Sequence, residues 1–309
     1  MYMIHDLIII GGSAAGITSG IYAARRGLKF KLIAKDLGGE VATSGEIGNW
    51  PGMPKTDGIE LARLFKEHLA SYGSEIGEGV YVKKITKADD GTFSLEIDSD
   101  QIKAKAVIIS TGVHPRELNV PGEKDFRGRG VTYCTTCDGP LFGGKVVATI
   151  GGGNAAMESG LMMSDIASKV YVINKNVSFK GEQVLIENLA KRSNVEIIYE
   201  ALTTEIVGDK FVNGIRYKDK NGNTIDLVVE GVFVHIGQIP NSSLAPDDVE
   251  KDAYGQIKVN ARCETNVPGI FAAGDVTNVA YKQIVIACGQ GCIAALSAVE
   301  YLNRLVTEK

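Results

Sequence analysis

Two cysteines set three positions apart are the residues of this chain best suited to chemistry. The stretch YCTTCDG places Cys134 and Cys137 around two threonines and puts Asp138 directly after the second sulfur. A CxxC pair of this kind fits half of a zinc site, a structural disulfide, or a dithiol that opens and closes during a reaction. The motif alone does not choose among the three.

The zinc interpretation lacks the other ligands that it needs. A structural zinc ion takes four protein ligands, but the chain has no second CxxC, and its histidines are scattered at positions 5, 68, 114 and 235. Five cysteines in 309 residues is also a sparse and odd count, which favours a reducing compartment over a secreted disulfide framework. The composition therefore favours a redox pair, for which Asp138 is placed to act as the neighbouring acid or base.

The remaining cysteines carry weaker signals. Cys288 and Cys292 lie one helical turn apart, and we interpret them as small residues of a tightly packed helix, with a second dithiol as the alternative. Cys263 has no assigned role.

A glycine-rich turn near the start of the chain has the form that binds a dinucleotide. In IIIGGSAAG, Gly11 and Gly16 hold the first and third glycine positions of a G-x-G-x-x-G turn. Ser13 replaces the middle glycine but is small enough to let a phosphate approach, and its hydroxyl could itself bond that phosphate. Ala14 opens a helix whose N-terminus attracts the anion. Asp36 follows at about the distance expected of a ribose-binding acid.

A second turn of the same form follows 140 residues later, and a separate aspartate adds to the first. GGGNAAMESG keeps Gly151 and Gly153 and opens a helix with Asn154 and Ala155. Two such turns predict two nucleotide cofactors. In PGIFAAGDV the pair Gly274 and Asp275 stands between a strand and a helix, where a carboxylate can accept a sugar hydroxyl; a simple turn aspartate is the alternative.

The elements that must position these residues form two copies of one plan. Each glycine-rich turn lies in a βαβ unit, and each unit is followed by a β-meander and a return strand, which end near Gly112 and Gly237. We predict an α/β protein with two Rossmann-like three-layer nucleotide-binding domains, each with a β-meander, the second inserted into the first. Residues 1–114 and 240–309 would form the first domain, and residues 115–239 the second, which carries the CxxC pair.

The overall composition excludes several classes of partner. The net charge is −4 and no stripe of Lys and Arg with interleaved aromatics occurs, so binding of nucleic acid is not expected. The apolar run near the N-terminus is far shorter than the roughly 20 residues of a membrane span and lacks the basic region of a signal peptide. We therefore expect a cytoplasmic protein that binds neither nucleic acid nor membranes.

The order of these motifs resembles the low-molecular-weight thioredoxin reductases of bacteria and archaea. The resemblance covers nearly the full chain and includes GNWPG, STG, CTTCDG, GGGNAAME, GQIPN, PGIFAAGDV and KQIVIACGQGCIAAL. It implies FAD on the discontinuous domain, NADPH on the inserted domain, a homodimer, and electron transfer through the dithiol to thioredoxin or a thioredoxin-like protein. Cys137 would face the flavin, Cys134 would exchange with the partner disulfide, and Asp138 would protonate the departing thiolate.

The resemblance also implies further flavin contacts in the first domain. The positions that match are Gly39, Glu40, Thr43, Asn49, Val82, Thr111, Gly112, Lys282, Gln283 and Ile284. Glu40 stands where the family has glutamine, and we hypothesise that its carboxylate lowers the potential of the flavin.

The sequence departs from the family where the electron donor is selected. Family members carry arginines after the second fingerprint that bind the 2′-phosphate of NADPH, but this chain reads INKNVSFK, with Asn174, Lys175 and Lys180 in that stretch. Lysine offers a point charge in place of a bidentate fork. Charged hydrogen bonds contribute about 1.5 to 3 kcal/mol each. NADPH, NADH and a different donor such as reduced ferredoxin therefore all remain open.

We predict an FAD-dependent thioredoxin-disulfide reductase. A flavin oxidase that reduces oxygen or makes disulfides is the rival enzyme, and a regulatory module with a vestigial dithiol is the non-enzymatic rival. Candidates for docking the partner protein flank the dithiol, with solvated loop charge and core packing as the alternatives: Arg127, Arg129, Leu141 and Phe142. The linkers near residues 112–115 and 237–240 would act as hinges.

Overall fold

The computed structural model describes residues 4–44, 46–97 and 100–307. The chain divides into two compact units. Unit 1 contains the described residues up to Ser44, Trp50–His114, and those from Ile239 onward; unit 2 contains Pro115–Gln238 together with residues 46–49. The sequence pattern does not predict that the short segment 46–49 groups with the inserted part of the chain.

The helices and strands follow in chain order. The strands are β1 (Ile4–Gly12), β2 (Phe30–Leu37), β3 (Glu46–Ile47), β4 (Thr56–Asp57), β5 (Glu75–Glu78), β6 (Val82–Lys87), β7 (Phe93–Ile97), β8 (Asp100–Ile109), β9 (Val113–Pro115), β10 (Val131–Thr132), β11 (Val146–Ile150), β12 (Lys169–Ile173), β13 (Val195–Ile198), β14 (Leu202–Gly208), β15 (Val212–Lys218), β16 (Thr224–Leu227), β17 (Gly231–Val234), β18 (Gln238–Pro240) and β19 (Ile270–Ala272). The helices are α1 (Ala14–Arg25), α2 (Gly39–Ala42), α3 (Gly58–Ala70), α4 (Thr135–Asp138), α5 (Asn154–Ser164), α6 (Gln183–Ala190) and α7 (Ile284–Thr307), with a 3₁₀ turn at Gly139–Phe142.

Unit 1 is built on a sheet in the order β5-β2-β1-β8-β7-β6, with β19 also beside β8. Strands β5, β2, β1, β8 and β19 run parallel, whereas β7 and β6 are antiparallel. The β-branched run Ile8, Ile9 and Ile10 is buried, as expected of a central parallel strand covered on both faces. The switch to antiparallel pairing along β8 is the meander that the sequence predicted.

The long helix α7 packs on α1 in the same unit. A Cβ at Gly291 would lie 2.2 Å from the carbonyl oxygen of Ala15, so only glycine permits this approach. Within the described residues, α7 is the one helix long and apolar enough to cross a membrane by length and composition. A core helix passes the same test, and the buried Ala294, Ala295 and Ala298 identify a packed face.

Unit 2 contains a parallel sheet in the order β10-β17-β11-β12-β13 and a separate antiparallel meander, β14-β15-β16. The central strand β11 is paired on one side with β12 and on the other with β17. Helix α5 follows β11 directly, so the glycine-rich turn Gly151–Gly153 lies at the carboxyl end of the central strand. The predicted α/β class with two Rossmann-like folds is confirmed.

The connections between the two units run as adjacent short strands, β9 and β18. At the unit 1 end, Asn241 N donates to Gly112 O at 3.0 Å; at the unit 2 end, Arg116 N donates to Gly237 O at 2.9 Å.

Candidate dithiol and nucleotide sites

The sulfurs of Cys134 and Cys137 are bonded to each other in a short, tight turn. Their Cα atoms are 5.3 Å apart. Cys134 caps the N-terminus of the single-turn helix α4, and its Sγ accepts a hydrogen bond from Cys137 N at 3.2 Å. Both residues are half-buried, so solvent or a partner protein can reach the bond. The two cysteines therefore form an intramolecular disulfide within one turn.

Asp138 is held against this turn. Its Oδ2 accepts a hydrogen bond from the Thr132 hydroxyl, whose oxygen also accepts from Cys134 N at 3.2 Å. Burial raises the pKa of Asp138, against the lowering effect of the Thr132 hydrogen bond. A carboxyl group with a raised pKa keeps its proton to higher pH than an exposed aspartate does, as a proton donor requires. Thr132 gave no sequence signal of this role.

A buried carboxylate secures the segment that leads into the dithiol. Glu123 is 0% exposed and accepts hydrogen bonds from Leu118 N at 2.8 Å, Asn119 N at 2.7 Å and the Tyr133 hydroxyl at 2.9 Å. Burial, followed by the bond to Glu123, raises the pKa of Tyr133. Glu123 therefore fixes the residue just before Cys134. Only the tertiary structure brings these groups together.

The docking candidates fall into two groups. Arg127 stacks on the Tyr133 ring, with 5.0 Å from its Cζ to the centroid. Phe142 is 7% exposed and packs edge-on against Phe233, which favours core packing for this residue. Arg129 and Leu141 are exposed and remain candidates for contact with a partner.

The first glycine-rich turn, in unit 1, is compact enough to bring backbone to a ligand. Gly11 has φ +124°, and a Cβ on Gly16 would lie 1.8 Å from Gly11 O. Helix α1 begins at Ala14, immediately after the turn. The Ser13 hydroxyl donates to Gly38 O at 2.6 Å, so its proton is already used inside the unit.

Asp275 supplies the clearest test of whether a cofactor fits unit 1. Its Oδ1 is buried without a hydrogen-bond partner among the described residues. Burial raises the pKa of Asp275 to about 6, partly opposed by Lys282. Buried carboxylate oxygens are normally paired, so this orphaned acceptor fits a ligand hydroxyl such as those of FAD. The adjacent Gly274 has φ +79°, and its N–H donates to Gln290 Oε1 at 2.8 Å.

The other predicted flavin residues are spread around unit 1, with one exception. Thr111 Oγ1 donates to Asn241 O at 2.6 Å, and Lys282 Nζ donates to Thr277 O at 2.6 Å. The exception is Asn49, which belongs to the segment grouped with unit 2. The rest occupy these places: Asp36 exposed in β2, Gly39 and Glu40 in α2, Thr43 just after α2, Val82 buried at the start of β6, Gly112 before β9, and Gln283 and Ile284 at the start of α7.

The second glycine-rich turn lies in unit 2, where it packs against the backbone of His235 and is joined by hydrogen bonds to Glu182. A Cβ on Gly151 would lie 2.2 Å from His235 O. Gly153 caps α5. Asn154 exchanges two hydrogen bonds with Glu182, through Oδ1 at 2.9 Å and Nδ2 at 3.0 Å. Ala155 is exposed on the first turn of α5.

The residues predicted to select the donor differ in their burial and hydrogen bonds. Asn174 is 0% exposed; its Oδ1 accepts from Asn176 N at 3.0 Å, and its Nδ2 donates to Ser178 O at 3.0 Å. Lys175 and Lys180 are exposed. Asn174 therefore shapes the loop, and the positive charge available to a ligand comes from the two lysines.

The dithiol and the second glycine-rich turn share unit 2, whereas the first turn and Asp275 share unit 1. Among the residues that the structure covers, no group of three or more His, Cys, Asp or Glu side chains could hold a metal ion. Cys263 is buried, and Cys288 and Cys292 are half-buried free thiols.

Known proteins match this chain over almost its whole length. Residues 5–291 match the pyridine nucleotide-disulphide oxidoreductase family. The structure superimposes on the thioredoxin reductase of Streptococcus pyogenes MGAS5005 with a TM-score of 0.93 and 32% identity, over 98% of this chain and 100% of that one. For T. acidophilum thioredoxin reductase the TM-score is 0.65 and the identity 41%, over 97% and 99% of the two chains.

Two curated relatives have other names. An alkyl hydroperoxide reductase subunit of Escherichia coli (strain K12) is 41% identical over 98% of this chain and 59% of that protein. NADH dehydrogenase of Bacillus subtilis (strain 168) is 40% identical over 97% of this chain and 59% of that protein. The chain thus spans about three-fifths of the length of these relatives.

Fold and motifs together define a flavoprotein disulfide oxidoreductase with the fold of thioredoxin reductases. The chain belongs to the FAD-dependent pyridine nucleotide-disulphide oxidoreductase family. The predicted family and its cofactors, FAD and a nicotinamide nucleotide, are confirmed at that level.

Proposed function

We propose that this protein reduces the disulfide of a thioredoxin-like partner through Cys134 and Cys137. The observation that carries the proposal is the half-buried disulfide with the half-buried Asp138 beside it, whose pKa burial raises. When bound, FAD supplies a carrier of two electrons between the donor and this disulfide. Gly11, Ser13, Ala14 and Asp275 would hold it in unit 1.

The chemistry of the dithiol follows from its surroundings. Reduction of the disulfide takes two electrons and two protons, and it frees two thiols. Asp138 would deliver one proton from Oδ1, because Oδ2 already accepts a hydrogen bond from Thr132. Cys134 would then attack the partner disulfide as a thiolate, and Cys137 would attack Cys134 Sγ. The second step re-forms the Cys134–Cys137 bond and releases the partner as a dithiol.

A second candidate acceptor follows from the relatives. Proteins named as alkyl hydroperoxide reductase subunits are about 41% identical to this chain. In this second candidate function, the dithiol would reduce a partner protein that in turn reduces peroxides. The relative named NADH dehydrogenase is the reason to retain a flavin oxidase as the third candidate. The three activities differ in their product: a reduced thioredoxin, a consumed hydroperoxide, or hydrogen peroxide formed from oxygen without a protein acceptor.

The donor and the acceptor can be separated in two experiments. Anaerobic stopped-flow mixing of the holoenzyme with NADPH, NADH or reduced ferredoxin follows flavin bleaching and identifies the donor. Addition of oxidised thioredoxin to the reduced enzyme, followed by alkylation of new thiols, tests the acceptor. If thioredoxin gains no thiols while the flavin is fully reduced, the proposed acceptor is wrong.

We propose a homodimer in the cytoplasm, consistent with the family resemblance and the sparse cysteines. Light scattering of the purified holoenzyme tests the dimer.

A further inference from the structure

A hydrogen-bonded chain of polar side chains, three of them buried and His235 half-buried, lies next to the dithiol turn in unit 2. Thr135, the first residue of α4, is 6% exposed. Its Oγ1 lies 2.7 Å from His235 Nε2 and 2.6 Å from Ser159 Oγ, and Ser159 Oγ lies 3.2 Å from Thr149 Oγ1. The four side chains come from four elements: α4, the end of β17, α5 and β11.

All the hydrogen bonds among these four side chains can form while the His235 imidazole is neutral. Burial lowers the pKa of His235 to about 4, and no charged neighbour contributes to the shift among the described residues. Thr135 can then donate to His235 Nε2, Ser159 to Thr135, and Thr149 to Ser159, so that every hydroxyl proton is used. The groups that contact His235 through this chain are hydroxyls, which do not titrate near neutral pH.

The hydrogen-bonded side chains lead to Thr135, which anchors the Cys134–Cys137 turn. Between the two cysteines, Thr135 is buried and Thr136 is exposed. Once the S–S bond opens, the backbone still joins Cys134 to Cys137, but the relative position of the two sulfurs depends on the non-covalent contacts of α4. Thr135 provides such a contact, because its hydroxyl ties the first residue of α4 to the sheet through His235.

We propose that His235 is a positioning residue for the dithiol: through Thr135 it holds the Cys134–Cys137 turn in place after the disulfide opens. The proposal rests on the proposed dithiol function. Its consequence is a higher effective concentration of the Cys137 thiolate at Cys134 Sγ. Resolution of a mixed disulfide needs that encounter: Cys137 attacks Cys134 Sγ, the intramolecular S–S bond forms, and the partner leaves as a thiolate that takes up a proton.

Loss of the Thr135–His235 contact should therefore shift the equilibrium between disulfide and dithiol toward the dithiol. A looser turn lowers the effective concentration and disfavours the intramolecular disulfide, so the pair becomes easier to reduce. A neutral hydrogen bond contributes about 1 kcal/mol, which corresponds to roughly a fivefold change in the dithiol-to-disulfide ratio. Mixed disulfides with a partner should also persist longer.

The test measures the Cys134–Cys137 equilibrium directly. Purified holoenzyme is equilibrated anaerobically with oxidised and reduced dithiothreitol, quenched in acid and alkylated, and peptide mass spectrometry counts the open pairs. His235→Leu and Thr135→Val should each shift the ratio about fivefold toward the dithiol. The two changes together should shift it no further than either alone. His235→Gln, whose Oε1 can accept the hydrogen bond from the Thr135 hydroxyl, should stay within about twofold of wild type.

A matched control separates positioning from general loss of stability. His68 is exposed on α3 in unit 1, and His68→Leu should leave the ratio unchanged. An unchanged ratio in both His235→Leu and Thr135→Val overturns the proposal, whatever happens to thermal stability; Thr135→Val keeps the test decisive if His235→Leu does not fold. The assay uses neither nicotinamide nor thioredoxin. A wild-type pair that never opens in dithiothreitol would instead contradict the proposed dithiol function.

Discussion

The two units share one architecture but differ in how the polar groups at their sites are paired. Unit 1 leaves the Asp275 Oδ1 acceptor without a partner among the described residues. In unit 2 the polar groups around the dithiol are paired with one another, from His235 through Thr135 to Ser159. An unpaired buried acceptor costs stability unless a ligand supplies the donor. The comparison indicates that unit 1 is completed by a ligand, whereas the dithiol of unit 2 is supported by the chain itself.

The largest effect should come from the sulfur pair. Cys137→Ser removes the intramolecular disulfide and should lower turnover with a disulfide substrate by at least about 10³-fold, while FAD stays bound to unit 1. Turnover and flavin absorbance of the same preparation measure both. Cys292→Ser, which alters a half-buried free thiol, is the control and should change turnover by less than about twofold. Brisk turnover by Cys137→Ser would remove the dithiol from the reaction.

Loss of the acid beside the dithiol should have the next largest effect. Asp138→Asn keeps the size of the side chain and the acceptor for Thr132 but cannot donate a carboxylic proton. General acid catalysis contributes about 10² to 10⁴-fold, so the rate of disulfide reduction should fall by about 10²-fold and lose its dependence on the Asp138 pKa. Single-turnover rates between pH 5 and 9 check this. A variant with an unchanged rate and pH profile would assign the proton to another group.

If a ligand hydroxyl pairs with Asp275, a substitution at Asp275 should weaken cofactor binding in unit 1 and leave the dithiol of unit 2 unaffected. Asp275→Asn weakens the acceptor for a cofactor hydroxyl and should lower FAD affinity by about tenfold or more, since hydrogen bonds to charged groups contribute about 1.5 to 3 kcal/mol. Titration of apoprotein with FAD measures the change. The dithiothreitol equilibrium of Cys134–Cys137 should not move. Unaltered FAD affinity would show that the orphaned oxygen serves another purpose.

Acidification should change the stability contributions of His235 and Asp275 in opposite directions. The folded-state pKa of His235 is lowered to about 4 from 6.5, so its stability contribution, present above pH 6.5, is lost as pH falls toward 4; the loss is about 2 kcal/mol at pH 5. The pKa of Asp275 is raised to about 6 from 3.8, so acidification from pH 7 to 5 relieves its penalty by about 1 kcal/mol.

Denaturation of the apoprotein at pH 7 and pH 5 tests this opposition, with hydrogen exchange to assign each change to a unit. His235→Leu should lose less stability than wild type on acidification, and Asp275→Asn should lose more. Changes of the same sign in both variants would contradict the comparison.

The smallest effect concerns the choice of donor. Lys175→Ala removes an exposed charge at the end of β12 and should weaken NADPH binding by a few-fold if that lysine contacts the 2′-phosphate, with little effect on NADH. Flavin reduction rates at varied donor concentration measure the difference. Equal losses for both donors would exclude a 2′-phosphate contact.

Local sequence patterns are sufficient to predict the features that depend only on residues close together in the chain. The strand, turn and helix around Gly11 and Gly16 follow from a buried β-branched run and glycines in fixed places, and the same holds for Gly151 and α5. The small-residue pattern predicts the long apolar helix over about residues 282–304, and it lies at Ile284–Thr307. Such features depend on backbone sterics and short-range periodicity, which the sequence displays directly.

The family, the two glycine-rich turns and the CxxC pair with its acid could be predicted from the amino-acid sequence, because each is a contiguous motif whose residues constrain the local backbone. The pairing of the polar groups, in contrast, depends on contacts between distant parts of the chain. His235 stands 100 residues after Thr135 and is one of four scattered histidines in the sequence, yet the pairing of β10 with β17 brings its Nε2 to 2.7 Å from Thr135 Oγ1. Burial and hydrogen-bond partners depend on the neighbours that the fold supplies, and sequence distance does not report them.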